Sequence, residues 1–165
     1  MMTRQQVLNL YDQLNMAHGI TKRFIKAIPV DKLDWAPIEG MRTARQLIEH
    51  IYAQGSAKAE AIHRGSLSLE ELLAHNDAPK TGNHFELILW CEDKFEDMQE
   101  KVRHTTEAQM EAPVKAFFGE LPGAVLLSIT YDEWWHHRGQ LSVYLRLMGI
   151  PVPNIYGFFE KEAVT

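Results

Sequence analysis

The sequence contains a single cysteine, and this scarcity excludes several kinds of protein. Cys91 has no second thiol with which to form an internal disulfide, and a zinc site built from several thiolates is excluded for the same reason. The fold must therefore be stabilised by a hydrophobic core. A chain of this kind fits the reducing cytoplasm best, and we predict a cytoplasmic protein.

Long apolar runs and blocks of basic residues are also missing. No window approaches the roughly 20 apolar residues that span a bilayer, and residues 1–25 carry charges where a signal peptide would be apolar. The 17 lysines and arginines against 22 aspartates and glutamates give a formal net charge of −5. Binding of nucleic acid without sequence preference depends on cationic groups that neutralise phosphates. We therefore expect neither a membrane nor a nucleic acid as a partner.

The composition that remains is typical of one folded domain over residues 1–165. A hydrophobic fraction of 45% with 24% charged residues argues against a disordered chain. Eight histidines are the unusual component, and their positions carry most of the functional inference.

Hydrophobic periodicity predicts an all-α four-helix bundle. The predicted helices run from about residue 4 to 27, from 44 to 64 after Thr43 as N-cap, from Thr81 to about 102, and from about 122 to 148. Residues 66–74 are predicted as a short extra helix, and 105–123 as irregular chain with a short extended piece near Val114, Phe117 and Phe118. The connections are long for an up-and-down bundle, so a crossing topology is expected.

The predicted fourth helix places two ionisable side chains on an apolar stripe. Glu133 and His137 lie one turn apart between Thr130 and Leu141. Burying an unpaired carboxylate is costly, so such a group normally has a hydrogen bond, an opposite charge or a metal as partner. His50 lies on the apolar strip of the second helix. If these two helices face each other, His50, Glu133 and His137 converge as two imidazoles and one carboxylate around a divalent metal, with positions left for water or substrate.

Other interpretations of these residues stay open at this point. Glu133 and His137 also have the arrangement of a buried ion pair that fixes the helix register. Asp132 and His136 form a rival pair at the same spacing on the adjacent face. Periodicity alone does not decide which face is inside.

The remaining histidines and Cys91 are expected to have no role in chemistry. His84 begins the apolar seam of the third helix, where a core or capping role is expected. Cys91 lies on the same seam and is expected to be buried and inert. Four histidines near predicted helix ends or loops are expected to be solvated: His18, His63, His75 and His104.

Two segments resemble the signatures of the DinB/YfiT-like metalloenzyme superfamily. They are WHHRGQLSVYLRLMGIPVPNIY over residues 135–156 and TARQLIEHIYAQ over residues 43–54, and the stretch from residue 33 resembles the family's entry into its second helix. The phrase HRGQLSVYLR, followed by glycine and a proline-containing tail, is quite specific to the family. The resemblance extends over nearly the whole chain.

This resemblance implies a bundle with a left-handed, up-down-down-up connection, often a homodimer, that binds a divalent metal through three side chains. One histidine of the family pattern comes from the second helix, which His50 matches, and two histidines four residues apart come from the last helix. His137 matches the second of that pair, and the first falls at Glu133. A carboxylate can replace imidazole at zinc, nickel, iron or manganese, so a three-ligand set is kept and the identity of the metal is left open.

The resemblance also implies an enzyme. Characterised relatives include metal-dependent transferases that use low-molecular-weight thiols and an isomerase of related type. The leading hypothesis is therefore a metal-dependent transferase or hydrolase that acts on a small molecule with a metal-activated thiol or water. Gln54 and Thr130, each one turn from an expected ligand, are candidates for orienting a bound molecule, with plain structural roles as the alternative. Any thiol in the chemistry would arrive as a substrate, since Cys91 is expected to be buried.

The competing hypothesis is a non-catalytic dimeric helical bundle, a stress-related scaffold or sensor, in which Glu133 and His137 are a structural pair. Its basis is an aromatic surface larger than a monomer of this size would leave exposed. Regulation of a partner through the C-terminal tail is a third hypothesis that the sequence does not separate from the second. The aromatic residues concerned are Trp134, Trp135, Tyr156, Phe158 and Phe159.

Overall fold

The computed structural model describes residues 2–80 and 82–155, and four long helices form its bundle. These are α1 (Arg4–Ala27), α2 (Ala44–Arg64), α4 (His84–His104) and α6 (Gly123–Leu147). Two short α-helices, one 3₁₀-helix (Val30–Lys32) and three short strands lie between them: β1 (Ser66–Leu67), α3 (Leu69–Ala74), α5 (Glu107–Glu111), β2 (Pro113–Ala116) and β3 (Gly119–Pro122). Within the described ranges, no helix has a stretch apolar enough to cross a bilayer.

Local hydrogen bonds explain where the first two long helices begin and end. The side chains of Thr3 and Thr43 accept from the backbone N–H groups of Gln6 and Gln46, and each glutamine side chain accepts from the threonine N–H in return. These reciprocal bonds satisfy backbone donors that a helix N-terminus leaves free. Gly65 ends α2 at φ +80°, a left-handed conformation that favours glycine. The predicted bounds of both helices are confirmed.

The bundle has the expected up-down-down-up topology. Both α1 and α2 pack against α4 and α6, so that α1 and α2 lie diagonally opposite each other. Hydrogen bonds between helix ends give the directions: Arg4 Nε to the Thr105 carbonyl after α4, Arg23 Nη2 to the Asn154 carbonyl after α6, and Tyr144 Oη of α6 to the Arg42 carbonyl before α2. Hence α1 runs parallel to α6, while α2 and α4 run the opposite way.

A small sheet confirms part of the prediction for residues 105–123 and corrects the rest. The extended piece predicted near Val114 is strand β2, whereas strands β1 and β3 and their pairing with β2 are not predicted. Strand β1 pairs in parallel with β2, with Ser66 opposite Lys115, and β2 forms an antiparallel hairpin with β3. Leu67 and Val114 are both buried in a small separate core with residues of α2 and α6. Two and four residues are too few to show an alternating pattern in the sequence, and burial against the helices stabilises these strands.

The third long helix begins later than predicted. It starts at His84, with Asn83 as N-cap, and the predicted start at Thr81 lies outside the described residues. His84 Nε2 donates a hydrogen bond of 2.5 Å to the carbonyl of Ile28, the C-cap residue of α1. This contact agrees with the capping role expected of His84.

The main core lies between the four long helices and includes Cys91 and Trp134, both fully buried. Burial raises the pKa of the Cys91 thiol well above its usual value, so the thiol is inert as predicted. Trp134 is buried and cannot contribute to an exposed dimer surface. Trp135 is half-buried beneath the guanidinium of Arg138, which lies 4.2 Å from a ring centroid. The other aromatic residues proposed for that surface, Tyr156, Phe158 and Phe159, lie outside the described residues.

His18 is buried, which makes the prediction that it is solvated wrong. It lies within α1 on the buried face, with only 9% of its surface exposed. Its ring stacks on Phe95 at 4.2 Å between centroids, and its Nδ1 lies 2.9 Å from Tyr52 Oη. His63 and His104 are exposed, as predicted, and His75 is half-buried.

We expect His18 to make the protein less stable in acid. Burial, together with the nearby charge of Lys22, lowers the pKa of His18 from 6.5 to about 4, although Glu92 acts in the opposite direction. The unfolded chain therefore binds the proton more readily. The contribution of His18 to the free energy of unfolding should be constant above about pH 6.5 and should fall as the pH drops to about 4. Urea unfolding over this range measures it.

The control is His18→Gln, which keeps a polar side chain but does not titrate. The free energy of unfolding of this variant should depend less steeply on pH between about 6.5 and about 4. Equal slopes for the wild type and the variant would contradict the assignment.

Candidate metal centre

Three ionisable side chains meet at the interface between α2 and α6. Glu133 Oε2 lies 2.9 Å from His137 Nε2 and 4.0 Å from His50 Nε2. One ligand atom from each residue lies within 4.8 Å of the others, and no second cluster of this type occurs in residues 2–80 and 82–155. The structure thus brings together the three residues that the sequence singles out as metal ligands.

The orientation of α6 decides between the two pairs that periodicity left open. His137 is 6% exposed and faces α2, whereas His136 and Asp132 are exposed on the outer face. Glu133 lies at the edge between these faces, with 37% of its side chain exposed. The carboxylate is therefore reachable from solvent while the His137 imidazole is not.

A narrow interface between the helices allows this approach. Gly55 lies on α2 five residues after His50, and a Cβ at this position would stand only 2.7 Å from Met98 Sδ and 3.2 Å from the methyl carbon of Thr130. A larger residue would force the Met98 side chain to move and the Thr130 methyl group to give way. Gly55 thus helps to set the distance across which His50 meets Glu133.

His50 has a neutral imidazole at physiological pH. Burial, together with the positive charge of Arg42 and the neighbouring His137, lowers the pKa of His50 from 6.5 to about 4, against an opposing effect of Glu133. A neutral ring keeps a nitrogen lone pair available. His50 can therefore act as a ligand without first losing a proton.

Gln140 fixes the orientation of the His137 ring. His137 Nδ1 lies 2.8 Å from Gln140 Oε1, and an amide oxygen only accepts, so Nδ1 carries the proton and donates it. The amide nitrogen of Gln140 lies 3.1 Å from His136 Nε2, which agrees with this orientation of the amide. His137 Nε2 is consequently directed at the Glu133 carboxylate. Because Nε2 of a neutral ring and a carboxylate oxygen are both acceptors, a proton or a metal ion is needed between them. Metal-bound histidines usually donate the N–H of their other ring nitrogen to an oxygen acceptor, which is the role of Gln140 Oε1 here.

The two residues expected to orient a ligand differ in position. Gln54 is 2% exposed and borders a cavity that His50 and Glu133 also border. Thr130 is fully buried, with its methyl group towards Gly55. Gln54 is therefore in reach of a molecule in the cavity, whereas Thr130 packs against α2.

Lys58 is a residue of this site that the sequence interpretation missed. It lies one turn after Gln54 on α2, is 6% exposed, and its ammonium donates to Gln54 Oε1. Burial lowers the pKa of Lys58 from 10.5 to about 8, and the charge of Glu133 acts against this shift. The four-residue steps from His50 to Gln54 to Lys58 place all three on one helix face, and this spacing is the signal that could have revealed Lys58.

The shared cavity has a volume of about 280 Å³ and mainly apolar walls. His50, Gln54, Lys58 and Glu133 supply its polar side. Segments around the small sheet, together with α6, supply the apolar side: Leu67, Leu72, Phe117, Phe118 and Ile129. A cavity of this shape would bind a small molecule with an apolar body and a few polar groups.

Comparison with known proteins identifies the relatives of the chain. The model of the DinB family matches residues 1–164. The uncharacterised protein YjoA of Bacillus subtilis is 25% identical over 134 residues, which are 79% of this chain and 83% of YjoA. The crystal structure of YjoA superposes with a TM-score of 0.69 at 22% identity, over 91% of this chain and 96% of YjoA.

The crystal structure of a mycothiol-dependent maleylpyruvate isomerase is also similar, with a TM-score of 0.67 at 19% identity. The match covers 85% of this chain and 61% of the isomerase. Similarity at this level of identity shows a shared fold.

Proposed function

Since the chain belongs to the DinB family, we propose that it is a metal-dependent enzyme in which His50, Glu133 and His137 bind one divalent cation. The observation that carries this proposal is the convergence of the three ligand atoms within 4.8 Å of one another. Zinc, nickel, iron and manganese all accept a set of two imidazoles and one carboxylate.

The donor atoms are spaced closely enough to share one ion. Two ligand atoms at about 2.1 Å from a metal are about 3.0 Å apart at a right angle and about 3.4 Å apart in a tetrahedron. The separations from Glu133 Oε2 are 2.9 Å to His137 Nε2 and 4.0 Å to His50 Nε2. The separation between Glu133 and His137 already matches a shared ion, whereas His50 would have to come closer to Glu133 when a metal binds.

A bound divalent cation would lower the pKa of a thiol or a water molecule, so that a nucleophile exists near neutral pH. The residues of the chain hold the site for this chemistry. Gln140 keeps the His137 ring directed inward, and apolar side chains form one wall of the cavity beside the cluster. Cys91 is buried in the core and inert, so a reacting thiol must be part of a substrate.

The substrate we propose is a small molecule, with a low-molecular-weight thiol as its reaction partner. The name of the mycothiol-dependent isomerase supports the use of a thiol within this fold, and the cavity beside the cluster accommodates a small molecule. The proposed reaction is displacement of a leaving group from the substrate by the thiol, in which the new bond to sulfur replaces the bond to the leaving group and the thiol loses its proton. With water in place of the thiol, the same displacement is a hydrolysis.

A second candidate is supported by the 2.9 Å contact between Glu133 and His137. With a proton in place of a metal between the two side chains, Glu133 and His137 would form a structural ion pair. The protein would then be a non-catalytic helical bundle that assembles as a dimer. The two candidates differ in their response to metal, because only a folded state that binds metal is stabilised by it.

Metal content and thermal unfolding test the proposal. We expect about one zinc, nickel, iron or manganese ion per chain after reconstitution and desalting, measured by elemental analysis. A metal at about 100 times its Kd should stabilise the fold by about 2.7 kcal/mol, and EDTA should reverse this gain.

Magnesium at the same concentration is the control, because it prefers oxygen ligands and should not raise the melting temperature. Failure of all four metals to remain bound, with unfolding unaffected by EDTA, would favour the structural pair.

A further inference from the structure

Lys58 is buried, and no carboxylate of the part of the chain that the structure describes is in direct contact with its ammonium. Its side chain is 6% exposed, and the partner of its ammonium is Gln54 Oε1, which is neutral. Buried ammonium groups are normally paired with an anion, because leaving water is costly for a charge. The ammonium has three N–H donors, of which this hydrogen bond uses one.

Gln54 adds further unused donors at the same place. Its side chain is 2% exposed, and its Nε2 has no hydrogen-bond partner among the described residues. Because Oε1 accepts from Lys58, the amide group keeps its NH₂ for another acceptor. Lys58 and Gln54 both border the cavity of about 280 Å³. Two adjacent side chains therefore offer spare N–H donors in this cavity.

The rest of the cavity limits the kind of anion that fits. Among its lining residues, Lys58 is the one cation, and Glu133 is a carboxylate that would repel a highly charged ligand. Leu67, Leu72 and Ile129 are part of an apolar wall that suits a hydrocarbon body. One positive charge with amide donors matches a carboxylate, whereas a phosphate dianion would need more positive charge.

We propose that Lys58 and Gln54 bind the carboxylate group of a small substrate with an apolar body and hold it beside His50 and Glu133. That the ligand is a substrate rests on the proposed function, but carboxylate binding by Lys58 does not require a metal. Lys58 is in this view a specificity-determining residue, which selects carboxylic acids over neutral molecules of the same shape.

Binding of hexanoate and of its neutral analogue hexanamide tests this proposal. We expect wild-type protein to bind hexanoate more tightly than hexanamide, and Lys58→Met to weaken hexanoate binding by about tenfold or more with no effect on hexanamide. Methionine keeps the apolar stem and removes the charge. Lys58→Arg should retain most of the affinity. Isothermal titration of both zinc-loaded and EDTA-treated protein gives the dissociation constants.

Lys101→Met is the matched control. Lys101 lies on α4, pairs with Asp97 and does not line this cavity, so the loss of its charge should leave hexanoate binding unchanged. Side-chain NMR signals of Gln54 in the wild type provide a second readout that does not depend on a variant folding, and hexanoate should shift them. Equal hexanoate affinity in wild type and Lys58→Met, or no shift of the Gln54 signals, would overturn the proposal.

The two proposals fail separately in this design. If the protein binds no metal, the EDTA-treated samples still show whether Lys58 binds hexanoate. Lys58→Met could instead bind one metal per chain and also bind hexanoate as tightly as the wild type does. In that case the metal proposal stands and the carboxylate proposal is wrong.

Discussion

His137→Ala is expected to lower the affinity for a divalent metal by more than about 100-fold, so that metal is lost on desalting. Replacing a residue that merely orients a ligand costs about 10- to 100-fold in affinity, and removing the ligand itself should cost more. His50→Ala should have the same effect, because it removes the other imidazole and leaves α2 without a ligand. Elemental analysis and competition with a fluorescent chelator measure both losses.

His136→Ala is the matched control for these substitutions. It removes an imidazole from the same turn of α6, but from the exposed face. We expect it to retain about one metal per chain. Equal retention of metal by His136→Ala and His137→Ala would show that the convergence at His137 has no part in metal binding.

Trp134→Ala is expected to destabilise the fold by about 3–5 kcal/mol. Trp134 is fully buried in the bundle, where its ring contacts Tyr52 at 4.9 Å and Phe95 at 5.5 Å between centroids. Its indole N–H donates to Thr21 Oγ1 at 3.2 Å. The substitution removes a large apolar side chain and leaves a cavity that rigid helices cannot close. Urea unfolding followed by circular dichroism measures the loss.

Trp135→Ala provides the comparison, since it removes the same side chain from the next position. Trp135 is half-buried near the surface of the bundle, so its loss should cost clearly less than that of Trp134. A larger cost at Trp135 would contradict the assignment of Trp134 to the core.

The long helices are predictable from the sequence because local signals and tertiary packing agree. Thr3 and Thr43 initiate helices whose apolar residues repeat at helical spacing, and Gly65 supplies the conformation that ends α2. Of the sheet, the sequence predicts only the extended piece near Val114, because Ser66–Leu67 and the second strand of the hairpin are too short to show a pattern. Their stability comes from contacts with α2 and α6 that are distant in the sequence.

The ligand cluster is predictable because polar residues on an apolar stripe are conspicuous. His50, Glu133 and His137 each interrupt such a stripe. Lys58 was overlooked although it continues the His50 stripe, because a lysine on a helix is ordinarily solvated. His18 was misjudged in the same way, because its burial depends on stacking against Phe95 of another helix.

The diagonal arrangement of α1 and α2 has a consequence for how the chain folds during synthesis. These two helices are made before α4 and α6 but pack mainly against those later helices. They meet each other at the contact between His18 and Tyr52, which is too little to form a stable helical hairpin at that stage. Their apolar faces remain exposed on the ribosome until the later helices emerge. Contacts between distant parts of a sequence close slowly, and the nascent chain should therefore be a substrate for chaperones that shield apolar segments until α6 completes the bundle.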